Sequence, residues 1–285
     1  MEATESTNPP TCIVTGATSG IGRATAHALA AAGARVVVVC RNRERGDEVC
    51  AEIARATGND ATEVVLADLA SLASVRAAAD ALLERCPRID VLVNNAGVVN
   101  TSRRESADGY EEMFAVNHLA PFLLTNLLLD RIRDSAPARI VGVASDAHKF
   151  RSLDFDDLGS TKSFGAMTTY GMSKRANILF TYELARRLEG SGVTVNCMHP
   201  GAVATGLATN NGTFPVLLTR FLSLFFRTPE KGAETVVHLA TSPAVAETTG
   251  KYFYNCAEYR SDRETYDADA QRRLWEVSER LVAAN

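Results

Sequence analysis

The sequence predicts an α/β fold: one doubly wound, mostly parallel seven-stranded sheet with helices on both faces. Short aliphatic, β-branched runs alternate with longer helical stretches along most of the 285 residues. The first run ends in a glycine-rich turn that opens a helix. No Pro/Gly/Ser-rich linker, internal repeat or composition shift divides the chain, so a single domain accounts for it. A hydrophobic content of 46% with 22% charged residues supports a sizeable core.

The expected strands are Cys12 to Thr15, Arg35 to Cys40, Glu63 to Leu66, Ile89 to Val93, Arg139 to Ala144, Val193 to Met198 and Lys251 to Tyr254. Several are apolar on both faces, as buried parallel strands are. Helical stretches are expected near 20–32, 43–57, 71–86, 111–134, 169–189 and 229–241. Each is long enough to cross the sheet, which demands parallel pairing and right-handed crossovers. Residues 1–10 carry two glutamates and no apolar stretch, so they are expected to form a flexible tail, with neither signal peptide nor anchor. The domain then covers 11–285. Two regions break the rhythm: 202–228, expected to be a lid, and an amphipathic helix over 267–281 that carries the only tryptophan. The uncharged run Met113 to Leu129 is interrupted by Asn117, His118, Pro121 and Asn126. It falls short of the roughly 20 apolar residues of a spanning helix, so a buried helix is expected and no transmembrane segment.

Thirty Lys+Arg against 34 Asp+Glu leave a net charge of -4, with no global positive field to hold nucleic acid. The six cysteines are scattered, without a Cys-x-x-Cys pair or a Cys/His cluster at zinc spacing. Free thiols in a reducing cytoplasm, and no metal site, are the expectation.

Thr15-Gly16-Ala17-Thr18-Ser19-Gly20-Ile21-Gly22 follows the first strand directly, with glycines spaced G-x-x-x-G-x-G. Glycine lets the backbone approach a pyrophosphate, and the free N–H groups of the helix start attract the anion. Gly16, Thr18, Ser19, Gly20, Ile21 and Gly22 are therefore candidate cofactor contacts. At the end of the second strand an acid would bind a ribose 2′-hydroxyl, but the chain offers Cys40, Arg41 and Asn42, with Arg43 and Arg45 close by. NADP(H) is the expected cofactor, with Arg41 as main phosphate contact. The alternative is that these arginines only solvate a helix start. After the third strand, Asp68-Leu69 either meets the adenine or caps the helix beginning near Ser71.

Asn94-Asn95-Ala96-Gly97, Asn117 in Val-Asn-His-Leu, Ser145 after the fifth strand, Tyr170-Gly-Met-Ser-Lys174 and His199-Pro200-Gly201 follow in order. With the glycine turn, this series resembles the short-chain dehydrogenase/reductase family over roughly residues 11 to 260, which implies a Rossmann-type fold. ANILFTYELARRLEGSGVTVN, HPGAV and GKYF look like the branch holding the retinol dehydrogenases and the WW-domain oxidoreductase. Tyr170 and Lys174 are four apart and share a helix face. An ammonium beside a phenol lowers its pKa from near 10. The resemblance implies that Tyr170 protonates the substrate oxygen, Ser145 hydrogen-bonds it, Lys174 holds the nicotinamide ribose and Asn117 holds a relay water. It also assigns Asn94, Ala96, Gly97, Pro200, Gly201, Val203 and Thr205 to the cofactor, and implies a homodimer or homotetramer.

A Ser–His hydrolase is set aside, because Ser145 lies in Ala-Ser-Asp and not in a Gly-x-Ser-x-Gly elbow. The apolar run Phe214 to Phe226 is expected to close over a bulky lipophilic carbonyl or alcohol; packing on a second subunit or touching a membrane surface are the alternatives. The expected function is hydride transfer between NADP(H) and such a substrate, in the direction of carbonyl reduction. The competing reading is a catalytically silent nucleotide-sensing protein of the same fold.

Overall fold

The computed structural model describes residues 9–201 and 227–284. The β-branched runs form β1 (Thr11–Thr15), β2 (Arg35–Cys40), β3 (Thr62–Leu66), β4 (Val91–Asn94), β5 (Ala138–Val143), β6 (Val193–Met198), β7 (Lys251–Tyr254) and β8 (Ala257–Glu258). Their order in the sheet is β3-β2-β1-β4-β5-β6-β7-β8. The sheet has eight strands where seven are predicted. The addition is β8, which turns back antiparallel on β7 because Asn255 and Cys256 both adopt left-handed backbone, with φ of 51° and 61°.

Seven helices are described: α1 (Gly20–Ala31), α2 (Arg43–Thr57), α3 (Leu72–Arg85), α4 (Glu112–Asp134), α5 (Ala166–Arg187), α6 (Pro229–Thr241) and α7 (Ala268–Ala283). Local chemistry sets their starts. Asn42, Ser71, Thr228 and Asp267 each accept from a backbone N–H of the first turn. Alternate strand residues face opposite sides of the sheet. Ile13, Val37, Leu92 and Ile140 pack under α3, α4 and α5, while Val14, Val36, Val38 and Val93 pack under α1, α2 and α6.

From β3 the chain returns to lay β4 beside β1, opposite β2, so the strand order reverses there. A crevice opens at the carboxyl ends of the strands at such a point. α4 is long and apolar enough to cross a membrane, yet it is 72% buried in this fold, as a core helix is. Ala115–Leu119 form a π turn within it. α7 packs across α4 and α5: Trp275 lies 5.0 Å from the Phe122 ring and 5.7 Å from the Phe180 ring. Ser278 Oγ stands 2.8 Å from His118 Nε2.

Candidate active site

A cleft of about 460 Å³ occupies the crevice. Its floor is the glycine turn. Gly16, at φ 67°, tucks against Ala96, where a Cβ would come within 2.9 Å of the Ala96 Cα. Thr15 fastens this turn to the next strand end, its Oγ1 accepting from the N–H groups of Asn95 and Ala96 at 3.0 and 3.1 Å. Ser19 opens α1 without a side-chain cap. The first-turn N–H groups therefore have no side-chain acceptor, the arrangement that suits a phosphate.

Every predicted cofactor residue among the described residues lines the cleft except Asn94. Gly16, Thr18, Ser19, Gly20, Ile21 and Gly22 form its floor, and Arg41, Asn42, Asp68 and Leu69 its far end. Asn94 turns the other way, its Nδ2 donating to Thr125 Oγ1 on α4 at 2.9 Å, and the wall residue is Asn95. Successive residues at a strand end alternate in direction, which accounts for the exchange. Asn95 Nδ2 donates to the Thr15 carbonyl at 2.8 Å. The predicted contacts Val203 and Thr205, and residues 202–226 of the lid expected over 202–228, lie outside the described residues.

At the far end, the exposed Arg41 and Arg45 face the cleft where an acid would stand. Arg43 faces Asp47 at 3.9 Å, while among the described residues no carboxylate pairs with Arg41 or Arg45. Asp68 lines the cleft but does not cap α3: its Oδ1 accepts from Ala70 N at 3.0 Å, ahead of the helix, and the cap is Ser71.

At the near end, Ser145, Tyr170 and Lys174 share one wall with Pro200 and Gly201. Ser145 follows β5, its Oγ accepting from Ala147 N at 3.2 Å and lying beside the Tyr170 phenol, whose ionised form it favours. Lys174 reaches under the ring, its Nζ 5.6 Å from the Tyr170 centroid, and donates to the Val143 carbonyl at 2.9 Å. Burial pushes the Tyr170 pKa up to about 12, the Ser145 hydrogen bond opposing it. The phenol is therefore not lowered by its lysine neighbour as expected, because desolvation dominates. The same desolvation lowers Lys174 to about 8.

Asn117 lies behind this wall in the π turn and is fully buried. Its Oδ1 accepts from Val98 N at 2.8 Å, and its Nδ2 donates to the Val98 carbonyl at 3.0 Å and to Ser173 Oγ at 2.9 Å. The side chain is thus committed to holding the strand exit against α5. Pro121, four residues on, has no N–H, so the Asn117 main-chain carbonyl lacks its α-helical partner. π turns recur where a helix must present a group in this way. Asn95 and Ser173 are not expected in the site from the sequence; only position at a strand end or beside Lys174 marks them, whereas Arg45 joins Arg41 as the run of arginines suggests.

The sequence model of a family described as short chain dehydrogenase matches residues 10–214. The chain is 46% identical to mouse (Mus musculus) retinol dehydrogenase 14 over 286 residues, covering 95% of this chain and 85% of that one. Human (Homo sapiens) retinol dehydrogenase 13 is 42% identical over 278 residues, covering 95% and 84%. Among solved structures, a Brucella melitensis 3-ketoacyl-(acyl-carrier-protein) reductase complexed with NADH superposes with a TM-score of 0.67 at 26% identity, covering 87% of this chain and 97% of that one. A Pseudomonas aeruginosa RhlG/NADP active-site complex gives 0.69 at 29%, covering 87% and 95%.

Proposed function

The chain belongs to the short-chain dehydrogenases, and from that premise we propose that it is an NADP(H)-dependent reductase of lipophilic aldehydes and ketones. It is an oxidoreductase of this family with a nicotinamide-binding fold. One observation carries the catalytic reading, the convergence of Ser145, Tyr170 and Lys174 on one wall of a cleft floored by an uncapped helix start.

When bound, the nicotinamide supplies or accepts the hydride. The glycine turn and the start of α1 would hold its pyrophosphate, Asp68 and Leu69 its adenine, Lys174 its inner ribose, and Pro200 and Gly201 its ring. Arg41 and Arg45 favour a 2′-phosphate, because two unpaired guanidiniums offer charge-assisted donors where a carboxylate would repel it.

The protein's own part is to hold the substrate oxygen and give it a proton. Tyr170 stays protonated throughout the physiological range. It is therefore ready to donate as negative charge builds on a carbonyl oxygen, which suits reduction more than alcohol oxidation. Ser145 supplies a second donor at that oxygen, preorganised before the charge develops. The Lys174 ammonium stabilises the phenolate left after transfer, and the Asn117 carbonyl offers a place for a water leading toward Lys174. Val98, Val99, Val116 and Met167 give the cleft apolar walls, which supports a lipophilic substrate, as do the relatives' names.

The test compares NADPH and NADH binding by the purified protein and by Arg41→Ala, followed by absorbance of the reduced nicotinamide with a panel of lipophilic aldehydes and ketones. Tighter NADPH binding that Arg41→Ala weakens by roughly 10- to 100-fold, with turnover of a carbonyl compound, upholds the reading. Equal binding of both cofactors refutes the NADP(H) assignment, and tight binding without turnover across the panel refutes the reductase assignment.

A further inference from the structure

One buried imidazole outside the proposed chemistry has a complete and directional set of partners. His148 follows Ser145 by three residues, in the single turn Asp146–Lys149, and is fully buried. Its Nδ1 lies 2.7 Å from the Ser145 carbonyl oxygen, which also accepts from the His148 amide at 3.2 Å. Its Nε2 lies 3.0 Å from the backbone nitrogen of Asp262. A carbonyl only accepts and an amide N–H only donates, so the ring carries its proton on Nδ1 and keeps a lone pair on Nε2. Burial, which disfavours the charged ring, agrees with that neutral form.

Arg175, the residue after Lys174 on α5, closes the arrangement. Its Nε donates to the His148 and Arg151 carbonyls, each at 3.0 Å, and its Nη1 to Asp262 Oδ1 at 2.9 Å and Glu264 Oε2 at 2.8 Å. Only 4% of the Arg175 side chain is exposed. Tyr252 on β7 packs edge-on against the imidazole at 5.4 Å between centroids. Three separate pieces of chain therefore meet at one point: the Ser145 turn, the helix that carries Tyr170 and Lys174, and the segment 262–264.

We propose that His148 is a positioning residue: it ties the Ser145 main chain to Asp262 and Arg175, so that the Ser145 hydroxyl stays directed at the Tyr170 phenol. This rests on the reductase reading above. Ser145 stands on a turn after a strand end, where backbone freedom is greater than within the sheet. A donor held at its carbonyl fixes the peptide from which the hydroxyl projects, and a shift of even 1 Å at such a group is costly to the reaction.

Two substitutions separate the halves of the clamp. His148→Asn places an amide NH2 near the position of Nδ1 and keeps the donor to Ser145; His148→Gln places an amide oxygen near Nε2 and keeps only the acceptor for Asp262. We expect kcat for carbonyl reduction to fall roughly 10- to 100-fold in His148→Gln, with NADPH affinity retained, and to be largely rescued in His148→Asn. A residue that merely fills the core would cost both variants the same thermal stability and the same kcat. Equal kcat in the two variants, or a loss of kcat matched by a loss of NADPH affinity, overturns the proposal. Nitrogen NMR of histidine-labelled protein gives a readout without turnover: the Nδ1–H tautomer is expected for His148, and an Nε2–H tautomer or a charged ring overturns the clamp. Absence of any turnover in the wild-type chain refutes the reductase reading instead, and the tautomer still decides whether the clamp exists.

Discussion

Gly97→Ala is a one-atom test of how tightly the rear of the active site is built. A Cβ at Gly97 would stand 3.2 Å from Lys174 Nζ and 3.3 Å from Asn117 Oδ1, a few tenths of an ångström closer than a methyl group normally comes to either. Gly97 is absent from the glycines with positive φ, so backbone strain does not enter. One neighbour must give. Asn117 is held by three hydrogen bonds of 2.8, 3.0 and 2.9 Å, whereas Lys174 Nζ has the one 2.9 Å bond to the Val143 carbonyl and a flexible stem. The lysine therefore moves. A buried hydrogen bond from a charged group contributes about 1.5–3 kcal/mol, so weakening it costs about 1–2 kcal/mol of stability. If the ammonium leaves its place under the Tyr170 ring and that full contribution is lost in the transition state, kcat falls about 10- to 100-fold. The assay is kcat at saturating NADPH alongside thermal melting. Unchanged kcat and melting temperature would refute the claim that Lys174 is pinned between Gly97 and Val143.

Further outcomes follow from groups already described. Carbonyl reduction should be level below the Lys174 pKa and decline as pH rises through about 8, because the ammonium is lost while Tyr170, at about 12, stays protonated; a rate that climbs through that range contradicts the assignment. His118 is completely buried and lowered to about 3, so its neutral form contributes stability in full above pH 6.5. That contribution is lost as pH falls from 6.5 toward 3, since the unfolded chain gains a proton the folded chain cannot hold. Acid unfolding of His118→Phe should accordingly be less steep over that window, as followed by circular dichroism. Trp275→Ala should cost about 3–5 kcal/mol in chemical denaturation, because it removes the ring that packs on Phe122 and Phe180 and leaves a cavity.

The fold was legible because buried parallel strands need β-branched residues on both faces, and β2, with Val36 to Val39, is such a strand. β8 was not, since two residues carry no period and its turn uses Asn255 and Cys256 at positive φ in place of glycine. In the site, the residues that touch ligands could be placed by where they stand, at the carboxyl ends of strands. The choice between Asn94 and Asn95 could not, because neighbours at a strand end point opposite ways. The supports were hidden for another reason. His148 and Asp262 are 114 residues apart, and His118 and Ser278 are 160 apart, and no local pattern announces a hydrogen bond of that span.

The short turn-back of β8 has a consequence for how copies of the chain meet. A parallel sheet that ended at β7 would present a row of unpaired backbone donors and acceptors, an invitation to add strands from a neighbouring molecule. Two residues suffice to occupy it: Phe253 pairs with Glu258 and Tyr254 with Ala257. Lys251 and Glu258 set charges 3.5 Å apart across the hairpin, so a foreign strand would meet ions on a short rim. At the opposite border, β3 is five residues long and ends in Leu66, which is 43% exposed. Among the described residues no strand pairs with the outer side of β3, so of the two borders that is the one whose backbone donors and acceptors have no strand partner.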